Sequence, residues 1–206
     1  MGQKFRFSVL GVGLRKVCGR GFAVLVAVGL LVGIAGCSGN DPLAQQLGNN
    51  SRDRAAVSVP AAERKAAVDF RGTDEHGRVI AAADFRGKVT VINFWYAACA
   101  PCRAEIGDLV AAAAEHAEVK FLGVNTRDQK EQAQQFATEF RVPYPSILDL
   151  AGGRSVQAAF AESVPLNAVP TTLILDKQGR VAHRILGQIA GKSQLDTLIK
   201  ETLTER

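Results

Sequence analysis

A predicted strand that leads directly into two closely spaced cysteines constrains this chain more than any other feature. Residues 89–95 are apolar and rich in β-branched side chains, with no breaker among them, which predicts a buried strand. Cys99 and Cys102 follow after a short loop, and good helix formers continue to about Ala113. Cys99 is therefore expected at a helix N-terminus, where free N–H groups and the helix dipole favour a thiolate over a thiol.

The spacing of the two cysteines predicts redox chemistry. A thiolate is the nucleophile of thiol–disulfide exchange, and Cys102 is near enough to resolve a mixed disulfide formed at Cys99. The pair can then cycle between a dithiol and a disulfide. A purely structural disulfide is a weaker interpretation, because closing so small a loop removes little entropy from the unfolded chain.

A second motif lies 70 residues beyond Cys99, where residues 169–172 read VPTT and the apolar residues 173–175 precede Asp176. Together with residues 94–105, it resembles the TlpA/ResA-type thiol–disulfide oxidoreductases of the thioredoxin superfamily, and the likeness extends over roughly residues 66–203. The resemblance implies an α/β thioredoxin-like fold, with a central mixed sheet flanked by helices and an N-terminal β-hairpin extension. It implies no cofactor beyond the cysteine pair.

The resemblance also implies roles for individual residues. Cys99 becomes the exposed catalytic nucleophile and Cys102 the buried resolving cysteine. Pro170 is expected after a cis bond, in a loop where the backbone of Val169 pairs with a substrate backbone. Trp95 is assigned to the substrate-binding set, packing under the site.

Two further residues are candidates for a proton relay. Thioredoxin has a buried aspartate at the position of Asn93, and that aspartate is associated with proton transfer at the resolving cysteine. Asparagine does not titrate, so Cys102 needs another base, either water or Glu105.

The distribution of charge argues against nucleic-acid binding. The net charge of +5 comes entirely from the first 36 residues, and the rest of the chain holds 20 basic and 20 acidic residues. That basic start leads into an apolar run at residues 22–36, which is short for a membrane span of roughly 20 residues and has the form of a signal peptide.

The run ends in small residues before Cys37 and resembles a bacterial lipobox. We therefore predict a lipoprotein signal peptide at 1–36, lipidated Cys37 and a flexible linker at 37–66, and a thioredoxin-like domain at 67–206. An uncleaved membrane anchor is the alternative. Either arrangement holds the domain outside the cytoplasm, at the bacterial cell membrane.

A metal site is not expected. Cys18 lies in the predicted signal peptide and Cys37 would carry lipid, which leaves only Cys99 and Cys102 as thiols. A structural zinc site needs about four ligands, and the three histidines are scattered rather than paired.

The favoured function is a membrane-tethered reductase of disulfides in exported proteins, including apocytochrome c, as the resemblance implies. Its electron donor would be a membrane thiol-transfer protein. Ala100 and Pro101 supply no charge to stabilise a thiolate, so we expect a couple closer to thioredoxin, at about −270 mV, than to DsbA, at about −120 mV.

Three alternatives stay open. A disulfide-forming oxidase would use the same cysteines in the opposite direction. A peroxiredoxin-like peroxidase would carry proline and threonine ahead of a single reactive cysteine, and residues 96–98 (YAA) lack both. A non-catalytic binding lipoprotein is the third alternative. The pair Arg127–Asp128 is expected at the surface, without a role.

Periodicity and turn signals predict the remaining elements. A hairpin is expected around residues 74–77, and further strands at 119–125, 173–175 and 181–186. Helices are expected at 129–140, 155–160 and 193–203.

Overall fold

The computed structural model describes residues 56–163 and 168–205. The predicted signal peptide, the lipidation site Cys37 and the first part of the predicted linker lie outside these residues. Among the described residues, no helix has the length and apolar character needed to cross a membrane.

The described chain folds into eight strands and four α-helices, together with a 3₁₀ turn at Ala82–Phe85. In chain order the elements are β1 (Ala56–Ser58), β2 (Arg71–Thr73), β3 (Val79–Ala81), β4 (Thr90–Trp95), α1 (Ala100–Glu115), β5 (Lys120–Asn125), α2 (Lys130–Phe140), β6 (Ser146–Leu148), α3 (Ser155–Ala159), β7 (Thr171–Leu175), β8 (Val181–Leu186) and α4 (Lys192–Thr204).

Six of the strands form one mixed sheet, in the order β1-β8-β7-β4-β5-β6. Strands β4, β5 and β6 are parallel, whereas β7, β8 and β1 pair antiparallel with their neighbours. Strands β2 and β3 form a separate hairpin around residues 74–77, as predicted. The predicted thioredoxin-like fold, a mixed sheet flanked by helices, is confirmed.

The central strand β4 divides the core into two layers because successive side chains of a strand point to opposite faces. Val91 and Trp95 face the layer that contains buried residues of α1, α2 and α4. Ile92 and Phe94 face the layer that contains residues of the hairpin and α3. Both layers are mainly apolar, although Asn93 of β4 and Glu105 of α1 are buried together in the first. The apolar side chains fix β4 in register and place the loop after Trp95 above the end of the sheet.

The folded domain begins earlier than predicted, so the linker boundary at residue 66 is wrong. Residues 56–58 form β1, the edge strand paired with β8. The Arg64 side chain is buried and pairs with Asp176 at 3.0 Å and Glu205 at 2.5 Å. A three-residue edge strand is too short for alternation to reveal it, and the polar composition around it is typical of linkers.

Strand β6 was also not predicted. Its three residues follow Pro145 and pair in parallel with β5, and Asp74 of the hairpin turn bridges to Ile147. The hairpin extension therefore covers the β6 side of the sheet.

Candidate active site

The two cysteines lie where β4 gives way to α1 and are joined in a disulfide bond. Cys99 is the N-cap residue of α1, and its Sγ accepts a hydrogen bond from the backbone N–H of Cys102 at 3.2 Å. Pro101 lies in the first turn, where its missing N–H leaves no helical hydrogen bond unmade. The predicted position of Cys99 at a helix N-terminus is confirmed.

Cys99 is less accessible than expected. In this disulfide form it is only 2% exposed, and so is Cys102. The sulfur of Cys99 is bonded to a buried cysteine and directed to the helix backbone, while Ala98 and Ala100 on either side are exposed. The expectation of an exposed sulfur is therefore wrong for the disulfide form, and small side chains form the surface beside it.

Glu105 lies one helical turn beyond Cys102 and is 1% exposed. Its Oε1 accepts a hydrogen bond from Asn93 Nδ2 at 2.8 Å, and its Oε2 accepts one from the backbone N–H of Ile189 at 2.9 Å. Burial raises the pKa of Glu105 to about 7, although these two hydrogen bonds oppose the shift. A group with that pKa can exchange protons near neutral pH.

The two relay candidates, Asn93 and Glu105, are thus hydrogen-bonded to each other, and Asn93 makes a second hydrogen bond. Its amide also donates to Thr172 Oγ1 at 3.1 Å, in the strand that follows the proline loop. These hydrogen bonds connect the N-terminal part of α1 to β7. The relay role itself stays a prediction.

Tyr144 adds a buried phenol that sequence reasoning missed. Its Oη is buried and has no hydrogen-bond partner among the described residues. Burial raises the pKa of this phenol, and the negative charge of Glu105 raises it further. Tyr144 stands between two prolines, a context that signals only the end of a helix.

The bond between Val169 and Pro170 is cis, as predicted. Val169 packs against the apolar cluster that contains both cysteines. The carbonyl of Pro170 accepts a hydrogen bond from Gly187 at 2.9 Å. In the described part of the chain the backbone of Val169 makes no hydrogen bond, and its pairing with substrate stays a prediction.

Trp95 packs beneath the site, as expected, and its assignment to the substrate-binding set stays a prediction. The residue is 5% exposed, its ring centroid lies 4.3 Å from that of Phe136, and its Nε1 donates to Ser146 Oγ at 3.2 Å. Because Phe136 packs against the Trp95 ring and Ser146 binds its Nε1, Trp95 supports the active-site loop from inside the protein. Little of its surface is left for a substrate.

The loop after β5 is the second feature that the sequence did not reveal. Asp128 Oδ2 accepts hydrogen bonds from the backbone N–H of Ala97 at 2.5 Å and from Asn125 Nδ2 at 2.7 Å. The Arg127 guanidinium lies over the ring of Tyr96, 4.3 Å from its centroid. The carboxyl ends of adjacent parallel strands meet at one edge of a sheet, so residues after β4 and β5 had to be neighbours.

One group of ligand-type side chains gathers at the far end of α1, where Glu115, His116 and Asp196 meet. His116 Nε2 lies 3.1 Å from Asp196 Oδ1, and the ammonium group of Lys192 contacts both Asp196 and Glu115. The carboxylates are thus already paired with a cation of the protein itself.

Comparison with known proteins identifies the family. The AhpC/TSA family matches residues 64–184 of this chain. The thiol:disulfide interchange protein HelX of Rhodobacter capsulatus is 34% identical over 108 residues, which cover 52% of this chain and 57% of HelX. The thiol-disulfide oxidoreductase ResA of Geobacillus thermodenitrificans is 31% identical over 137 residues, which cover 66% of this chain and 73% of ResA.

A solved structure agrees with these relatives. The secreted thiol-disulfide isomerase of Corynebacterium glutamicum is 31% identical, superposes with a TM-score of 0.65, and is covered over 92% of its length by 73% of this chain. The match to HelX reaches little more than half of that protein, whereas the other two are covered over most of their length. The chain belongs to the AhpC/TSA family, and within it to the thiol–disulfide oxidoreductases of thioredoxin fold.

Proposed function

We propose that this protein reduces disulfide bonds of exported proteins, through dithiol exchange at Cys99 and Cys102, while a lipid on Cys37 holds it at the outer face of the membrane. One observation carries the exchange chemistry. The two cysteines form a disulfide at the N-terminus of α1, where the N–H of Cys102 donates to the sulfur of Cys99. That donor stabilises negative charge on Cys99 once the pair is reduced.

The reaction begins with the reduced pair. The Cys99 thiolate attacks one sulfur of the substrate disulfide, the substrate S–S bond breaks, and the released substrate thiolate takes up a proton. Cys102 then loses its proton and attacks the sulfur of Cys99, which releases the second substrate thiol and forms the Cys99–Cys102 disulfide. Two electrons pass from the protein to the substrate, and a thiol donor at the membrane must return two.

Glu105 is the group best placed to take the proton of Cys102 in the second step. It is buried one turn from Cys102 on the same helix, and its pKa of about 7 makes the carboxylate a usable base near neutral pH. Asn93 and the N–H of Ile189 hold the two carboxyl oxygens in place. Glu105 thereby substitutes for the titratable group that Asn93 lacks.

Local charge favours the reducing direction. Ala100 and Pro101 offer no cation to the Cys99 thiolate, and a charged Glu105 disfavours a second negative charge on Cys102. The reduced pair therefore lacks the charge stabilisation that a strongly oxidising couple has, and Cys102 stays protonated in it. A couple with a less stable reduced form passes its electrons on more readily.

The location and partners follow from the sequence rather than from the described residues. The signal-like start and Cys37 support an extracytoplasmic lipoprotein, and the C. glutamicum isomerase is itself a secreted protein. Substrates would be exported proteins with cysteines, apocytochrome c among them, and the electron donor a membrane thiol-transfer protein. No cofactor beyond the cysteine pair is needed for the exchange.

Trapping of mixed disulfides tests this proposal. Cys102→Ser should accumulate mixed disulfides between Cys99 and exported proteins, because the second step is blocked. Cys99→Ser should trap nothing and should fail to reduce insulin. Equal insulin reduction by wild type and Cys99→Ser would contradict the proposal.

A further inference from the structure

Arg127 is a cation beside the active-site loop whose charge is directed to solvent. Arg127 is exposed, and its guanidinium lies 4.3 Å from the centroid of the Tyr96 ring. Its side chain forms no ion pair or hydrogen bond within the described part of the chain. The aromatic face therefore holds the guanidinium while its N–H groups stay available.

The position of this cation is fixed relative to the disulfide. The carbonyl of Tyr96 accepts the N–H of Cys99 at 3.1 Å. The neighbouring N–H of Ala97 donates to Asp128, and the N–H of Arg127 donates to Asn125 Oδ1 at 3.2 Å. The two loops are thus joined by the hydrogen bond from Ala97 to the Asp128 side chain. The Arg127 guanidinium lies over Tyr96, whose carbonyl accepts the N–H of Cys99.

Two neighbouring charged side chains, Arg103 and Asp128, are engaged within the protein. Arg103 forms an ion pair with Glu139 and packs over Phe140, 4.8 Å from the ring centroid. The Asp128 carboxylate is half-buried and accepts hydrogen bonds from Ala97 and from Asn125. Arg127 differs from both because its charge has no partner in the described residues.

We propose that Arg127 selects among substrates, favouring disulfides flanked by an acidic side chain over those flanked by a basic one. The inference rests on the proposed reductase function and names the class of segment that this function would act on. A guanidinium presents a planar fork that matches a carboxylate, and the ring beneath it limits the side-chain entropy lost on pairing. A solvent-exposed charge at a docking site also raises the rate of encounter with an oppositely charged partner.

Two synthetic peptides test the selection directly. Each carries the same intramolecular disulfide, and only the residues flanking the cysteines differ, glutamate in one and lysine in the other. Prereduced protein is mixed with each peptide in a single turnover, in which the peptide disulfide becomes two thiols as Cys99–Cys102 becomes a disulfide. Each rate is divided by the rate of that peptide with dithiothreitol, an uncharged reductant, to remove differences in intrinsic reactivity.

The wild type should reduce the glutamate peptide about two- to fivefold faster at low ionic strength, the range expected for one exposed ion pair, and the preference should shrink in high salt. Arg127→Gln should abolish the preference, while Arg127→Lys should keep part of it because the charge remains. Lys88→Gln is the matched control: it removes an exposed cation just before β4, at the opposite end from the cysteines. It should leave the preference intact.

The outcomes separate the two proposals. Equal rates for both peptides with wild type, or an unchanged preference in Arg127→Gln, would overturn the role of Arg127 while leaving the reductase function in place. Loss of the preference in Lys88→Gln would also overturn it, because net charge rather than position would then decide. Failure of the wild type to reduce either peptide would overturn the proposed function and this inference with it.

Discussion

At Glu105 a carboxyl group with 1% of its surface exposed accepts two hydrogen bonds and titrates far above its ordinary range. Desolvation is the largest cause of the shift and the charge of Asp108 adds to it, while the hydrogen bonds from Ile189 and Asn93 partly offset both. A buried acid of this kind makes the fold itself sensitive to pH. The same protonation that serves the exchange reaction therefore carries a stability signature.

Replacing Glu105 with glutamine should flatten one limb of the pH–stability profile. The carboxyl titrates near 4.5 when exposed and at about 7 in the fold, so between these values the folded state binds more protons than the unfolded state. Wild-type stability should fall by about 3 kcal/mol as pH rises through this window, and Glu105→Gln should lose that slope. Urea unfolding from pH 4 to pH 8 measures it.

A control keeps the comparison specific. Glu131→Gln removes an exposed acid from the first turn of α2 and should retain the wild-type slope. A slope in Glu105→Gln equal to that of wild type would show that another group titrates in this window.

At the scale of elements, the site depends on two parallel strands that end side by side. The loop after β4 leads to Cys99 at the start of α1, and the loop after β5 holds it through Asp128. Neither loop belongs to a helix or strand, so their relative position depends on a few hydrogen bonds. Asp128 supplies two of them.

Asp128→Ala should slow insulin reduction and destabilise the fold by about 1–3 kcal/mol, because the N–H of Ala97 and the amide of Asn125 lose their acceptor. Asp128→Asn keeps an acceptor oxygen and should retain most of the stability. Insulin turnover and urea midpoints of both variants provide the measurement. If alanine and asparagine were equally benign, Asp128 would not be the residue that holds the loop.

The edge strand β1 is secured by a buried ion pair rather than by a long strand. Arg64→Met should destabilise the protein by about 1–3 kcal/mol, because the buried Asp176 carboxylate loses one of its cationic partners and retains Arg180. The adjacent Lys65→Met is a matched control, since Lys65 pairs with Glu162 in solvent and should show no measurable change. Thermal unfolding of the two variants distinguishes a folded start at residue 56 from a loose linker, which would make them equivalent.

For the molecule as a whole, local sequence was sufficient wherever a long apolar pattern or a specific motif existed. Residues 89–95 predicted β4 to within one residue, and the VPTT motif located the cis bond at Pro170. Prediction from sequence failed where an element or a residue's role depends on contacts with residues distant in the chain. The strand at residues 56–58 is recognisable only beside β8, and Asp128 gained its role from a loop 31 residues earlier in the chain.

The burial of Cys99 and the packing partners of Trp95 were also beyond local reasoning. Exposure depends on what packs around a side chain, and Phe136 and Ser146 approach Trp95 from a helix and a strand distant in sequence. The pKa of Glu105 could likewise not be predicted from neighbouring residues in the sequence. Sequence reasoning named Glu105 as a possible base for Cys102, but its raised pKa comes from burial and from the charge of Asp108, which outweigh the opposing hydrogen bonds from Ile189 and Asn93.

The proposed anchor also belongs to the whole molecule. The wild type should incorporate labelled palmitate and enter the detergent phase in a detergent-partition assay, and Cys37→Ser should incorporate none, because no thiol would remain to carry the lipid. Cys18→Ser, inside the predicted signal peptide, should behave as wild type after processing. Aqueous partitioning of the wild type itself would contradict the lipoprotein assignment.

The reduction potential of the Cys99–Cys102 couple tests the reductase account most directly. It is measured by equilibrating the protein in defined dithiothreitol buffers and counting free thiols by alkylation. The uncharged Ala100-Pro101 pair and the buried Glu105 predict a midpoint more negative than about −180 mV, on the thioredoxin side of the range. A midpoint near that of DsbA, at about −120 mV, would contradict the account and identify the protein as a disulfide-forming oxidase.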